Sequence, residues 1–211
     1  MKDSLTTLIR QAIQGQPRGA LLFPGDFFHL GKITAVNMAL SRLVKKGLLL
    51  RVAQGIYYTP KTDPVLGLVK PSLEEIAAAL ATKEHVRIRP TGVTALNKLG
   101  LSTQVPMRVQ YLTDGNPRHI KVGRRTLTFQ KTTPKRLAVQ SPTTFLVIEA
   151  LALLGKAAAD TTMLQQLEKA LQHEDPAILR QDAQLAPAWI GQFLYTIAKK
   201  LDKSHDLVTT S

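Results

Sequence analysis

Apolar positions recur along this chain with two periods, and each change of period marks a new element. Between Ser4 and Gln14, Leu5, Leu8, Ile9 and Ala12 share one helical face, with Ser4 as cap and Gly15 as stop. FPGDFFHLG turns at Pro24-Gly25 into a short helix carrying Phe27, Phe28 and Leu30. From Thr34, the expected N-cap of the next helix, Val36, Leu40, Leu43 and Val44 form an apolar stripe. Asn37, Ser41, Arg42 and Lys45 fall on its opposite face. Gly47 closes that helix, with Lys45 and Lys46 in the last turn, where cations suit the dipole. LLLRVAQGIYYTP then alternates as a β-hairpin that turns at Gln54 and Gly55.

Pro60, Pro64 and Pro71 punctuate the following stretch, so a linker is expected over residues 61–71. It would divide the chain into a domain of residues 1–60 and a second of residues 72–211. Ser72 and Glu75 have the spacing of a capping box, ahead of Ile76, Ala79 and Leu80. VRIRP is a strand ended by Pro90, and TGVTALNKLG a short helix stopped by Gly100. MRVQYLT, HIKVG and RTLTFQK predict an antiparallel meander, broken at Asp114-Gly115-Asn116-Pro117 and at Gly123-Arg124. From Pro142 the period is helical, interrupted at Gly155, Pro176 and Pro187, with Trp189, Phe193, Tyr195 and Ile197 expected as core residues of the last helix. The whole is an α+β protein.

Helix, turn, helix and hairpin, in that order over the first sixty residues, are the layout of a winged helix-turn-helix. In that arrangement one helix enters a DNA groove and the hairpin flanks it. Charge adds weight: 28 Lys and Arg against 15 Asp and Glu leave +13 over 211 residues, a surplus that favours polyanionic partners. Counting along the chain, residues 1–70 carry 10 basic and 3 acidic side chains, residues 71–140 carry 12 and 4, and residues 141–211 carry 6 and 8. Asn37, Ser41 and Arg42 are the side chains placed to read base edges, with Thr34 at the start of their helix. Lys32, Lys45, Lys46 and Arg51 suit phosphates, which add affinity without sequence information, and Gln54 and Gly55 suit the backbone or minor groove. A second basic surface is expected on the meander, from Arg108, Arg118, Lys121, Arg124 and Arg125, together with His119, Lys131, Lys135 and Arg136. The competing reading of both surfaces is a solvated face, with the winged helix used for protein contacts.

Other chemistry is poorly represented. Without cysteine there are no disulfides, thiol nucleophiles or Cys-based zinc sites. The five histidines, His29, His85, His119, His173 and His205, match no metal-ligand spacing. Neither G-x-x-x-x-G-K-[ST] nor G-x-S-x-G occurs. Asp114 sits in a turn, and Glu74 and Glu75 in a helix first turn, where local backbone bonds and the dipole account for them. An enzyme is therefore not expected, nor a cofactor. MKDSLTTLIRQAIQG has no signal-peptide core, and FLVIEALALLG is too short and carries Glu149, so a cytoplasmic protein with no membrane partner is expected.

Two runs carry a resemblance to a known family. ALSRLVKKGLLLRVAQGIYYTP resembles the N-terminal winged-helix signature of AbiEi-type antitoxins, a Leu-Ser-Arg-Leu helix followed by a basic residue and a Gly-Ile-Tyr strand. RIRPTGVTALNKLGLSTQVPMRVQYLTDG is similar to the start of that family's second domain, with its P-[ST]-G-x-x-A-L and L-G-L-[ST] pattern. The resemblance covers residues 5–135 and leaves the helical tail out. It implies an antitoxin that represses its own operon on double-stranded operator DNA, through the winged helix. It also implies that the second domain counteracts a nucleotidyltransferase-like toxin, with direct contact between the two as a hypothesis. A winged-helix regulator unrelated to any toxin, and an interaction module that never touches DNA, are the alternatives.

Overall fold

The structure is a computed structural model that describes residues 4–104 and 106–209, the last six of these only as backbone. The chain falls into two compact units. The first comprises Met1–Lys83 with Ile120–Thr126, and the second Glu84–His119 with Leu127–Ser211.

The first unit begins with α1 (Leu5–Gln14), capped by the Ser4 side chain, which accepts from the Thr7 N–H. A two-residue strand β1 (Leu21–Leu22) and a 3-10 segment (Pro24–Leu30) lead into α2 (Ile33–Lys45). The N-cap of α2 is Lys32, not the expected Thr34; Pro and polar side chains play no part, and Thr34 lies inside the first turn. Gly47, at φ +71°, ends α2 in a Schellman motif, its N–H bonding Val44 O at 2.9 Å and the Leu48 N–H bonding Leu43 O at 3.0 Å. The wing follows as β2 (Leu50–Ala53) and β3 (Ile56–Tyr58), with Gln54 and Gly55 between them. β3 is central in the order β1-β3-β2, so Tyr57 pairs with both Leu22 and Arg51. Ile9, Val36, Leu40, Leu43, Leu49 and Tyr57 meet in one buried core under helix and wing.

Residues 61–71 are not the open linker expected from their prolines. They hold a two-stranded hairpin, β4 (Lys61–Asp63) with β5 (Gly67–Val69), whose turn is fixed by the Asp63 carboxylate accepting from the Val65 and Leu66 N–H groups. The division comes instead after Lys83, because α3 (Leu73–Glu84) clusters with the first unit and Lys83 pairs with Asp26. The capping box at its start is present: Ser72 N–H donates to Glu75, and the Glu75 N–H to Ser72 Oγ at 3.1 Å. The bond from the Ser72 N–H first, and then one from the Ser72 side chain, hold the Glu75 carboxyl below its ordinary value. The cap therefore contributes at neutral pH and is lost as pH falls through that lowered value.

The second unit holds a helical layer and most of a four-stranded sheet, of which residues Ile120–Thr126 cluster with the first unit. The strands of the sheet are β6 (Ile88–Pro90), β7 (Arg108–Thr113), β8 (Arg118–Val122) and β9 (Arg125–Lys131), in the order β6-β7-β9-β8. The expected meander would have set β8 beside β7. The apolar pattern explains the exchange: Leu127, Thr128 and Phe129 of β9 are all buried and need a central place, whereas β8 buries none of its five residues and takes the edge. Between β6 and β7 lies α4 (Val93–Lys98). The helical layer is α5 (Pro134–Leu137), α6 (Pro142–Leu154), α7 (Thr161–Ala170), α8 (Pro176–Ala183) and α9 (Ala188–Thr209). Phe145, Leu151, Leu167, Leu179, Ile190 and Leu194 form its core, with Ile197 buried and Trp189, Phe193 and Tyr195 packed against it.

At the centre of this unit Glu149, 2% exposed on α6, accepts both Arg136 guanidinium bonds, at 2.9 and 2.8 Å, and the Thr91 hydroxyl. Arg136 is half exposed and rehydrates readily if left alone, which limits the penalty for stranding it. Glu149→Ala is expected to lower the unfolding free energy by about 2–3 kcal/mol, from lost hydrogen bonds and the cavity left behind. Urea unfolding followed by the fluorescence of Trp189 measures it.

Candidate nucleic-acid interface

The buried stripe of α2 decides which of its side chains face outward. Val36, Ala39, Leu40 and Leu43 point into the core, so the exposed positions wind around the other side. Thr34, Ser41 and Lys45 stand at i, i+7 and i+11 on that side, with Asn37 beside them, and all four are exposed. Met38 completes the stripe. It is 55% exposed between Thr34 and Ser41, and the hydrophobic pattern alone gives no reason for a thioether there. An apolar side chain in a row of polar ones suits the C5-methyl of thymine in a major groove. Ile33, also 55% exposed, extends the apolar edge at the start of the helix.

Arg42 belongs elsewhere. It sits on the flank of α2 that turns toward α1, where it shares a cleft with Arg10 and Lys46 instead of lying in the outward row. A 3.6-residue period places it about a quarter-turn from the row's centre, so the expected base reader stands on the flank of the outward row. Lys32, Arg51 and Gln54 are exposed, and Gly55 is half-buried at φ +71° in the wing turn. Among the described residues, none of Lys32, Arg42, Lys45, Lys46 or Arg51 forms an ion pair or a side-chain hydrogen bond within the chain.

The second basic surface is only partly there. Arg118 is committed to structure: both its terminal nitrogens bond Glu84, at 2.6 and 2.9 Å, and it lies 5.1 Å over the Phe129 ring. Arg136 is spent on Glu149. His119 meets Thr128 at 3.1 Å, and Arg125 is half-buried. Arg108, Lys121, Arg124, Lys131 and Lys135 remain exposed. Lys121, Arg124 and Arg125 lie in the segment Ile120–Thr126 that clusters with the first unit, an assignment that sequence spacing gives no means of finding.

The second motif run acts structurally. Thr91 bonds Glu149, Thr94 Oγ1 accepts the Gln110 N–H at 3.1 Å, and Gly92 adopts φ +59° with Gln110 Oε1 3.0 Å from where a Cβ would stand. Gly100, at φ +70°, ends α4.

With this architecture in view, the comparisons define the class. Residues 8–179 match the family described as "Family of unknown function (DUF6088)", and the chain belongs to that family. No curated protein matches it. The crystal structure of the RV2827C protein from Mycobacterium tuberculosis is similar over 93% of this chain and 82% of that one, at 13% identity and a TM-score of 0.43, a likeness that carries no argument about function.

Because the outward row is solvated, Asn37→Ala and Ser41→Ala are expected to change stability by no more than about 0.5 kcal/mol. Leu40→Ala, one position from Ser41 but fully buried, is expected to cost about 2–5 kcal/mol. Chemical denaturation of the three variants tests the orientation of α2. A large loss from either polar substitution would mean that the helix is rotated.

Proposed function

We propose that this chain is the DNA-binding antitoxin of a toxin–antitoxin pair. It binds double-stranded operator DNA through the winged helix, represses its own operon and counteracts a nucleotidyltransferase-like toxin. The observation that carries the DNA half is the outward face of α2 with the adjoining wing. Thr34, Asn37, Met38 and Ser41 supply donors, acceptors and an apolar contact, and unpaired Lys32, Lys45, Lys46 and Arg51 surround them. The antitoxin half is supported by the resemblance of residues 39–60 and 87–115 to AbiEi-type antitoxins. In this reading the reaction is left to the partner: the chain acts as a neutralising and repressing protein, not an enzyme, in the cytoplasm. Among the described residues, no helix is long and apolar enough to cross a membrane.

About five cations of the first unit neutralise phosphates in this reading, so log K for the chain's own upstream duplex should fall with log salt at a slope of about −4 to −5. Asn37→Ala should cost about 1–3 kcal/mol on that duplex and relax one operator position, with little effect on random DNA. Fluorescence anisotropy on both duplexes across salt concentrations reads both effects, and a flat slope would sink the electrostatic account. For the second half, the full-length Asn37→Ala, Lys45→Ala variant is co-expressed with the neighbouring toxin gene under an independent promoter. Retained growth with lost repression is expected. If the wild type itself fails to protect when the toxin is driven independently, repression is its whole mechanism.

A further inference from the structure

Between α1 and the C-terminal half of α2 the first unit carries a cleft of about 290 Å³. Ser4, Thr6 and Thr7 line it from the first turn of α1, Arg10 from the next turn, and Arg42 and Lys46 from α2. Among the described residues, no carboxylate lines it. None of the three cations has an ion-pair or hydrogen-bond partner among the described residues. Like charges gathered in a concavity repel one another and focus a positive potential outward, and no acid among the described residues pairs with them. The Ser4 and Thr7 hydroxyls are 2.9 Å apart and engaged with each other, and the Thr6 hydroxyl has no partner among the described residues.

We propose that this cleft binds a phosphate group, with Arg10, Arg42 and Lys46 as its counter-charges and Thr6 as a hydroxyl donor. Guanidinium forks match the oxygens of a phosphate in pairs, and an ammonium adds a point charge. Among the described residues, no aromatic side chain lines the cleft, so they offer nothing on which a nucleobase could stack. That absence favours a backbone phosphodiester over a free nucleotide. Arg42 and Lys46 lie on α2 itself, one flank away from Asn37 and Ser41. A strand held in the cleft therefore runs alongside the helix that would occupy the groove. The phosphate contact fixes the register of α2 without reading sequence. This source of the phosphate rests on the DNA reading above.

Arg10 is exposed, and nothing in the hydrophobic pattern singles it out, so it can be changed without disturbing the core. Arg10→Ala in the full chain is expected to weaken specific and random duplexes alike, about five- to tenfold, and to make the salt slope shallower by about one. Arg10→Lys should restore most of that loss. Lys169→Ala, which removes the same charge from exposed α7 in the second unit, should leave the slope unchanged. In a separate arm, inorganic phosphate is titrated into the wild-type chain and the amide signals of Thr6, Thr7 and Arg10 are followed by NMR. Shifts there that vanish in Arg10→Ala support the site. If the wild type binds duplex DNA but Arg10→Ala matches it in affinity and slope, the phosphate site is overturned and the DNA reading stands. If the wild type binds no duplex yet phosphate moves these amides, the DNA reading falls and a small phosphorylated ligand is the source. Unmoved amides together with an unchanged slope remove the proposal altogether.

Discussion

The burial of one face of α2 against Ile9, Leu49 and Tyr57 is the constraint from which the rest of the first unit follows. Once Val36, Leu40 and Leu43 are committed to the core, the helical period leaves no freedom in what points outward. The same commitment brings the C-terminal half of α2 alongside α1, which creates the cleft with its three cations. Gly47 completes the arrangement. Its left-handed conformation lets the chain reverse at once into Leu49, fully buried, and then into the wing. A residue with a Cβ at this position would be strained, and the hairpin would leave the helix at a different angle.

Elements defined by local periodicity or by a single cap were legible in the sequence. Ser4, Gly15, Ser72 with Glu75, and Gly47 all act where their spacing predicts, because caps are satisfied within four residues of chain. What the sequence concealed was set by partners far along the chain. The strand order β6-β7-β9-β8 depends on which strand can be buried on both faces, a comparison among strands that no single run contains. The hairpin over residues 61–69 was hidden by its own prolines, which mark a turn as readily as a linker. Arg118 looked like a free cation because Glu84 lies 34 residues away.

The two motif runs behind the family resemblance do different work. In the first, Leu40 and Leu43 of Leu-Ser-Arg-Leu are core, whereas Ser41 and Arg42 are solvent-facing on two separate flanks of the helix. Only half of that motif is free to recognise anything. In the second, Thr91, Gly92 and Thr94 are absorbed by Glu149 and Gln110, so the run builds a joint between β6, α4 and α6.

Net charge is informative about partners only after the internal pairs are subtracted. Of the six ion pairs among the described residues, five lie in the second unit, joining Arg87 to Asp114, Arg118 to Glu84, Arg136 to Glu149, Arg180 to Asp202 and Lys200 to Glu168. The first unit holds one, between Lys83 and Asp26. Residues 1–70 and 71–140 look alike when side chains are counted, +7 against +8. They differ in how many cations are engaged: Lys83, Arg87, Arg118 and Arg136 of the middle segment are held in ion pairs, whereas no cation of residues 1–70 is in one among the described residues. Exposed pairs of this kind stabilise little, but each removes a cation from the field that a polyanion meets. On α1, α2 and the wing, Arg10, Lys32, Arg42, Lys45, Lys46 and Arg51 have no ion-pair partner among the described residues, so their charges stay available to an external anion.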